Sequence, residues 1–415
     1  MLDCEIVKLI NCEIDELIYW YKIVLMKANM HTKNVYLFLL IFVLTFAIYA
    51  FFSEKPFQQR NYFVPLAHSF LQGKLDVNSQ PILNELVPVN GKYYVVYPPA
   101  PAIALMPFVA FWGLNFNQTW GSIFYGALAV AISYFVFARI TSKKWVVIAL
   151  TVLLGFGTNF FFTSLAGTSW YFSHIMVVFF LALALFEATG KSRPWLVALL
   201  FSAAFLSRLP VLLAFPLFAY FTFKKNPRDW KLNLLIFFLT AGLILTIFGF
   251  YNAVRFGSPF QTGYSLIPGV LNEFWYQKGI FSLSYIPRNL RVAFATMPAI
   301  TPYFPFFLAS SFGLAFWIST PALLLLPFIK FKKWLTLWLI AAVILVFLPS
   351  LMHGTPGFTQ FGYRFSLDFI LFLLILLASA FERVGWEIAI TFVAISIAIN
   401  LWTVILFQMG VFRYF

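Results

Sequence analysis

Eleven apolar runs, most of them close to 20 residues long, divide this chain. They are Val35–Ser53, Thr119–Ala138, Lys144–Thr163, Ser169–Glu187, Trp195–Leu206, Pro210–Phe223, Leu232–Asn252, Pro305–Ile329, Trp334–Leu351, Phe365–Phe381 and Ile388–Phe407. A helix rises about 1.5 Å per residue, so about 20 residues cross a hydrocarbon layer about 30 Å thick. A helix also satisfies its backbone N–H and C=O groups internally, which hydrocarbon demands. The expected fold class is an all-α polytopic membrane protein with about eleven transmembrane helices. Composition agrees, with 62% hydrophobic and 10% charged residues, where a soluble domain carries roughly 25% charged.

The net charge of +14 does not point to nucleic acid. The basic residues stand in short clusters between the apolar runs, and no basic stripe interleaved with aromatics lies on a soluble module. In those places they act as topology signals. A further apolar stretch, Pro98–Trp112, is short and carries Pro98, Pro99, Pro101 and Pro107. If it does not cross, the clusters at 8–33, 139–144, 191–193, 224–231, 330–333 and 383 share the cytoplasmic side. If it crosses, every later cluster flips outward against the positive-inside tendency. Pro98–Trp112 is therefore expected to be a re-entrant or membrane-dipping segment, with the amino end cytoplasmic and the carboxyl end outside.

Residues 1–33 are not expected to act as a signal peptide, because Asp3, Glu5, Glu13, Asp15 and Glu16 interrupt any apolar core. Ile6, Ile10, Ile14, Leu17, Ile18 and Tyr21 recur at helical spacing, as in an amphipathic helix on the membrane surface. The alternative is a chain start at Met30. Residues 34–415 then form one multi-pass domain with long outer loops at 54–97 and 255–304. The two cysteines, Cys4 and Cys12, match no thiolate metal motif and no redox pair.

Trp195–Phe223 is two short arms meeting at Ser207-Arg208-Leu209-Pro210. Arms of this length reach only roughly 18–21 Å as helix, and Pro210 ends one helix and can start the next. Arg208 is thereby placed below the outer membrane surface, where it contacts an anion in a wet cavity or snorkels against carbonyls.

On this topology the outer acidic residues are Glu54, Asp76, Glu85, Glu273 and Asp368. Glu54, Glu85 and Asp76 are the candidate catalytic carboxylates. Glu54 follows the first run, where partial desolvation would raise its pKa and suit a general base. Pairing with Lys55 is the alternative. Glu85 lies between the amphipathic stretch Phe63–Leu71 and the string Tyr93-Tyr94-Val95-Val96-Tyr97. It either folds back over a cavity mouth or is a solvated loop carboxylate. Asp76 either joins them or is a helix-exit residue near Lys74. Candidate substrate contacts are Arg208, Arg255, Arg364, His353, Tyr93 and Tyr94. Arginine binds phosphate bidentately, and the competing reading of each is a snorkelled interface charge. Arg364 and Asp368, four residues apart, read as a structural salt bridge. His68, His174 and His353 would face outward, too widely spaced for a metal signature. No phosphate-binding glycine loop, HExxH or GxSxG motif occurs. No cofactor and no metal are expected, and any activated donor comes from the membrane itself.

Several strings resemble those of integral-membrane glycosyltransferases of the C-type fold, especially bacterial members of the dolichyl-phosphate-mannose protein mannosyltransferase-like group. They are Leu66-Ala67-His68-Ser69-Phe70-Leu71-Gln72-Gly73-Lys74-Leu75, Asn90-Gly91-Lys92-Tyr93-Tyr94 with Tyr97-Pro98-Pro99-Ala100-Pro101, Arg255-Phe256-Gly257-Ser258-Pro259 and Phe361-Gly362-Tyr363-Arg364. The likeness spans roughly 35–370 and is diffuse. It implies an inverting enzyme of a bacterial or archaeal cell membrane. A sugar would pass from a polyprenyl-phosphate donor to a protein, lipid or glycan acceptor on the outer face, with a first-loop carboxylate, Glu54 or Glu85, as base. The acidic pair expected at the end of the first span is absent, and His68 stands where an acidic residue is expected. A transporter or flippase of a lipid-linked substrate, or a non-catalytic membrane scaffold, are the alternatives.

Overall fold

The computed structural model describes residues 32–53, 60–78, 83–225, 227–331, 334–358 and 360–411. The amphipathic helix expected over 1–33 and the candidate base Glu54 lie outside them, except for Thr32 and Lys33, which open the first helix. In chain order the helices begin with α1 (Thr32–Phe51), α2 (Phe63–Leu71), α3 (Ala100–Trp112), α4 (Gln118–Ile140) and α5 (Lys144–Phe156). There follow α6 (Phe160–Ala166), α7 (Ser169–Thr189), α8 (Pro194–Phe205), α9 (Phe215–Lys225) and α10 (Trp230–Phe256). The last are α11 (Ile286–Ala295), α12 (Phe316–Ser319), α13 (Trp334–Met352), α14 (Ile370–Val384) and α15 (Trp386–Gln408). The described residues are mostly helical with almost no sheet. Among the described residues, seven helical segments are long and apolar enough to cross a membrane: α1, α4, α5 continued by α6, α7, α10, α13 and α15.

The other expected runs are short or divided. Trp195–Leu206 and Pro210–Phe223 become α8 and α9 with a 3-10 turn, Leu209–Ala214, between them. Phe365–Phe381 opens with a second 3-10 turn, Arg364–Asp368, before α14. Pro305–Ile329 is not one helix: it holds a two-residue strand, Phe307–Leu308, the four-residue α12 and a 3-10 segment, Pro321–Phe328. Pro305, Gly313, Pro321 and Pro327 explain the break, since each proline removes a backbone donor and Gly313 takes φ +82°. The stretch Pro98–Trp112 forms α3, only 13 residues long with Pro107 inside it.

Helices α4 and α7 pack closely at the centre. The buried face of α4 is built from small residues, among them Gly121, Ser122, Gly126, Ala127, Ala129 and Ser133. Small residues let helix backbones approach where lipid offers no hydrophobic drive for association. A Cβ at Gly126 would stand 2.8 Å from Ser164 Oγ. Helix α1 is largely exposed and is held by one face, on which Thr45 and Tyr49 are buried. The Tyr49 hydroxyl donates to the Gly155 carbonyl at 2.7 Å.

The start of α7, the ends of α8, α10 and α13 and the approach to α14 converge at one end of the bundle. At the opposite end lie Lys143, Lys144, Lys191, Arg193, Lys225 and Arg383, in or beside the turns that join the helices there. In that region Arg193 Nε donates to Glu187 at 2.9 Å.

Candidate functional site

Strands β1 (Leu86–Val89) and β2 (Lys92–Val95) form an antiparallel hairpin in which Leu86 faces Val95 and Val89 faces Lys92. The turn residues Asn90 and Gly91 have φ 49° and 77°, the left-handed pair that a tight hairpin of this twist requires and that Asn-Gly supplies at low cost. Two contacts seat the hairpin on the bundle. The Tyr93 carbonyl accepts from Val77 N at 2.8 Å. The Val95 carbonyl accepts from Arg255 Nη1, at the end of α10, at 2.6 Å.

Glu85 immediately precedes β1 and is thereby fixed against the start of α7. Its backbone N–H donates to the Tyr62 hydroxyl at 3.1 Å, and that hydroxyl donates to Asn84 at 3.2 Å. Tyr62 N in turn donates to Ser169 Oγ at 2.8 Å. The Glu85 carboxyl accepts from Trp170 Nε1 at 3.0 Å and from the Tyr97 hydroxyl. Arg60 Cζ lies 5.0 Å from the Trp170 ring centroid. Burial raises the Glu85 pKa to about 7, although the Trp170 hydrogen bond and the positive charges of Arg60 and Arg364 pull it down. A carboxyl in that range accepts a proton near neutral pH, the property of a general base.

Across the same space stand Arg208, at the break between α8 and the following 3-10 turn, and Arg364, at the turn before α14. The Phe365 ring centroid is 5.1 Å from Arg208 Cζ and 5.2 Å from Arg364 Cζ. Asp368 is fully buried. One of its carboxylate oxygens accepts from Arg208 Nε at 2.8 Å, and the other lies 2.7 Å from His174 Nδ1. The salt bridge expected between Arg364 and Asp368 is therefore replaced. The 3-10 turn has about three residues per revolution, so positions four apart do not stack. Arg364 Nη1 instead donates to the Phe358 carbonyl at 2.8 Å.

Glu85, Arg60, Trp170, Arg208, Arg364 and Phe365 line one cavity of about 570 Å³. Its aromatic wall includes Tyr97, Trp170, Tyr264, Trp275, Tyr276 and Phe358. His353 also lines it, edge-on to Tyr264, Tyr276 and Phe281. Its Nδ1 lies 3.0 Å from the Thr355 carbonyl oxygen, which only accepts, so Nδ1 carries the proton. Burial, helped by the charges of Arg208 and Arg364, lowers the His353 pKa to about 4. The ring is neutral at neutral pH. Burial also pushes the Tyr264 phenol up to about 12, leaving it a hydrogen-bonding group that does not ionise near neutrality.

No protein-family model, no curated protein and no solved structure matches this chain.

Of the residues singled out in the sequence, Glu85, Arg208, Arg364 and His353 meet in the cavity. Asp76, Arg255, Tyr93 and Tyr94 do not line it. Asp76 pairs at 3.5 Å with Lys92 on the hairpin, where Lys74 was expected. Arg255 is buried, bonded to Val95 and to Asn252 Oδ1 at 2.8 Å. Tyr94 is buried edge-on against Phe256 at 5.9 Å, and Tyr93 is exposed. Sequence reasoning missed Trp170, Tyr97 and the buried His174–Asp368 pair. A tryptophan at the first turn of a crossing helix is an ordinary interfacial residue, so only its contact with Glu85 distinguishes it.

Proposed function

We propose that this chain is a membrane glycosyltransferase that moves a sugar from a polyprenyl-phosphate donor to an acceptor hydroxyl, with Glu85 as base. One observation carries the reading: a carboxyl with a pKa of about 7 shares a cavity of about 570 Å³ with Arg208 and Arg364. In the reaction the acceptor oxygen bonds to the anomeric carbon and its proton passes to Glu85. The bond from that carbon to the phosphate oxygen breaks, and the leaving phosphate gains negative charge beside the two guanidiniums. Preorganised cations in a water-poor site stabilise charge as it develops. The aromatic wall suits the apolar faces of a sugar ring or the first isoprene units. The cavity lies at the end of the bundle opposite the basic clusters, and the tendency of such clusters to stay cytoplasmic supports an outer-face cavity.

The test is transfer of labelled sugar from a panel of polyprenyl-phosphate donors by purified protein in lipid nanodiscs, comparing wild type with E85Q. The expected outcome is transfer by wild type and its loss in E85Q with donor binding retained. Absence of transfer from every donor tried, with the phosphate lipid bound and carried across vesicle membranes, would favour a transporter instead.

A further inference from the structure

The buried pair His174 and Asp368 belongs neither to the cavity lining nor to any step proposed above. Both side chains are fully buried, and Asp368 is joined on its two oxygens to residues 194 and 160 positions away in the chain. Burying a carboxylate is costly unless it is paired and hydrogen-bonded. A hydrophobic pair of similar volume would hold α7 to the turn before α14 without that cost.

The use of the carboxylate is visible at Arg208. Asp368 engages Nε, the nitrogen nearest the stem, and Arg208 Nη1 and Nη2 have no hydrogen-bond partner among the described residues. The guanidinium is planar, so fixing Nε against Asp368 and the plane near Phe365 also fixes the direction of both terminal nitrogens. The side chain retains 21% exposure, at the cavity. Arg364, only 8% exposed, has a buried Nε with no partner among the described residues. Buried donors without a partner are uncommon. Arg60, Arg208 and Arg364 line the cavity together with the carboxyls of Glu85 and Glu273, and the terminal nitrogens of Arg208 are left there as donors for an anion.

We propose that Asp368, steadied by His174, is a positioning residue that holds Arg208 so that its terminal nitrogens, on the cavity that Arg364 also lines, form a binding subsite for a phosphate group. The proposal rests on the functional reading only for the identity of the phosphate carrier. The subsite itself binds phosphate whether or not sugar is transferred.

Charge and position make opposite predictions here. If Asp368 acted on the ligand only through its charge, neutralising it would remove a repulsion and tighten anion binding. If it positions Arg208, neutralising it releases the guanidinium and weakens binding.

The experiment measures equilibrium binding of radiolabelled polyprenyl monophosphate, and separately of inorganic pyrophosphate, to the full chain in nanodiscs. The proteins are wild type, D368N, H174N, H174L, R208Q and the double variant D368N/R208Q. H174N keeps a donor near the position of Nδ1 and H174L removes it. Expected are about tenfold or weaker binding in D368N and H174L, near wild-type binding in H174N, and no further loss when D368N is added to R208Q. Binding of polyprenyl monophosphate but not pyrophosphate would assign the site to a lipid headgroup; binding of both would assign it to phosphate generally, and either result supports the subsite. D368N binding as tightly as wild type or tighter, additive losses in the double variant, or no phosphate binding by wild type would overturn the proposal. If D368N does not fold, the contrast between H174N and H174L decides. Phosphate-lipid binding without any sugar transfer would leave this subsite standing while the transferase reading fails.

Discussion

The indole N–H of Trp170 lies 3.0 Å from a carboxylate oxygen of Glu85, tying the first turn of α7 to the residue that opens the hairpin 85 positions earlier. The contact sets an aromatic platform against the proposed base and partly offsets the rise in pKa that burial imposes on it. A hydrogen bond to the charged form lowers a carboxyl pKa, while burial raises it.

Transfer should therefore rise with pH along an acidic limb centred near the Glu85 pKa of about 7, because the base form grows as the proton is lost. In E85Q the rate should fall by about 10²- to 10⁴-fold, the contribution of a positioned base. W170F should move the limb upward by about one unit, since it removes a hydrogen bond to the ionised form. The kcat/KM profile checks both. Stability follows the opposite course, because the folded state favours protonated Glu85. That contribution is full below the ordinary value of 4.5 and is lost as pH rises through about 7. E85Q should flatten this slope in thermal unfolding.

Arg255 should prove structural. Replacing it with methionine removes the donor to Val95 O and leaves Asn252 Oδ1 unpaired. Leaving buried polar groups unsatisfied costs about 2–4 kcal/mol in total. R255M should lower the unfolding temperature while phosphate-lipid affinity per folded molecule stays near wild type. A selective loss of affinity at unchanged stability would contradict this.

Asp76 should be dispensable. Its pairing with Lys92 is exposed, the side chains retaining 29% and 59% of their accessible surface, and pairs of this kind contribute about 0–1 kcal/mol. D76N should keep sugar transfer within about twofold and stability within ~0.5 kcal/mol.

Sidedness can be read by labelling. In a background lacking Cys4 and Cys12, a cysteine at Gly91, the hairpin tip, should react with a membrane-impermeant maleimide on intact cells. A cysteine at Lys191, between α7 and α8, should react only after permeabilisation. The reverse pattern would place the cavity on the cytoplasmic face and remove the basis for an outer acceptor.

Much of the architecture was legible because its cause is local. Apolar runs announce crossing helices through length alone, and seven of those expected are long and apolar enough in the fold. Arg208 stands at a break between two short helices, as Pro210 and the short arms imply. The run at Pro305–Ile329 misled, because its hydrophobicity resembles a span while its prolines forbid one.

The sequence by itself determined a helical, membrane-suited chain, basic clusters in the turns at one end, and a polar loop carrying Glu85. Tertiary structure alone decided the pairings. Glu85 meets Trp170 and Tyr97, and Asp368 passes over Arg364, four residues away, to reach Arg208 and His174. The reason is physical. Hydrophobic length and helix breaks act over a few residues, whereas the partner of a buried polar group depends on which helix ends converge, and side-chain packing between distant segments sets that.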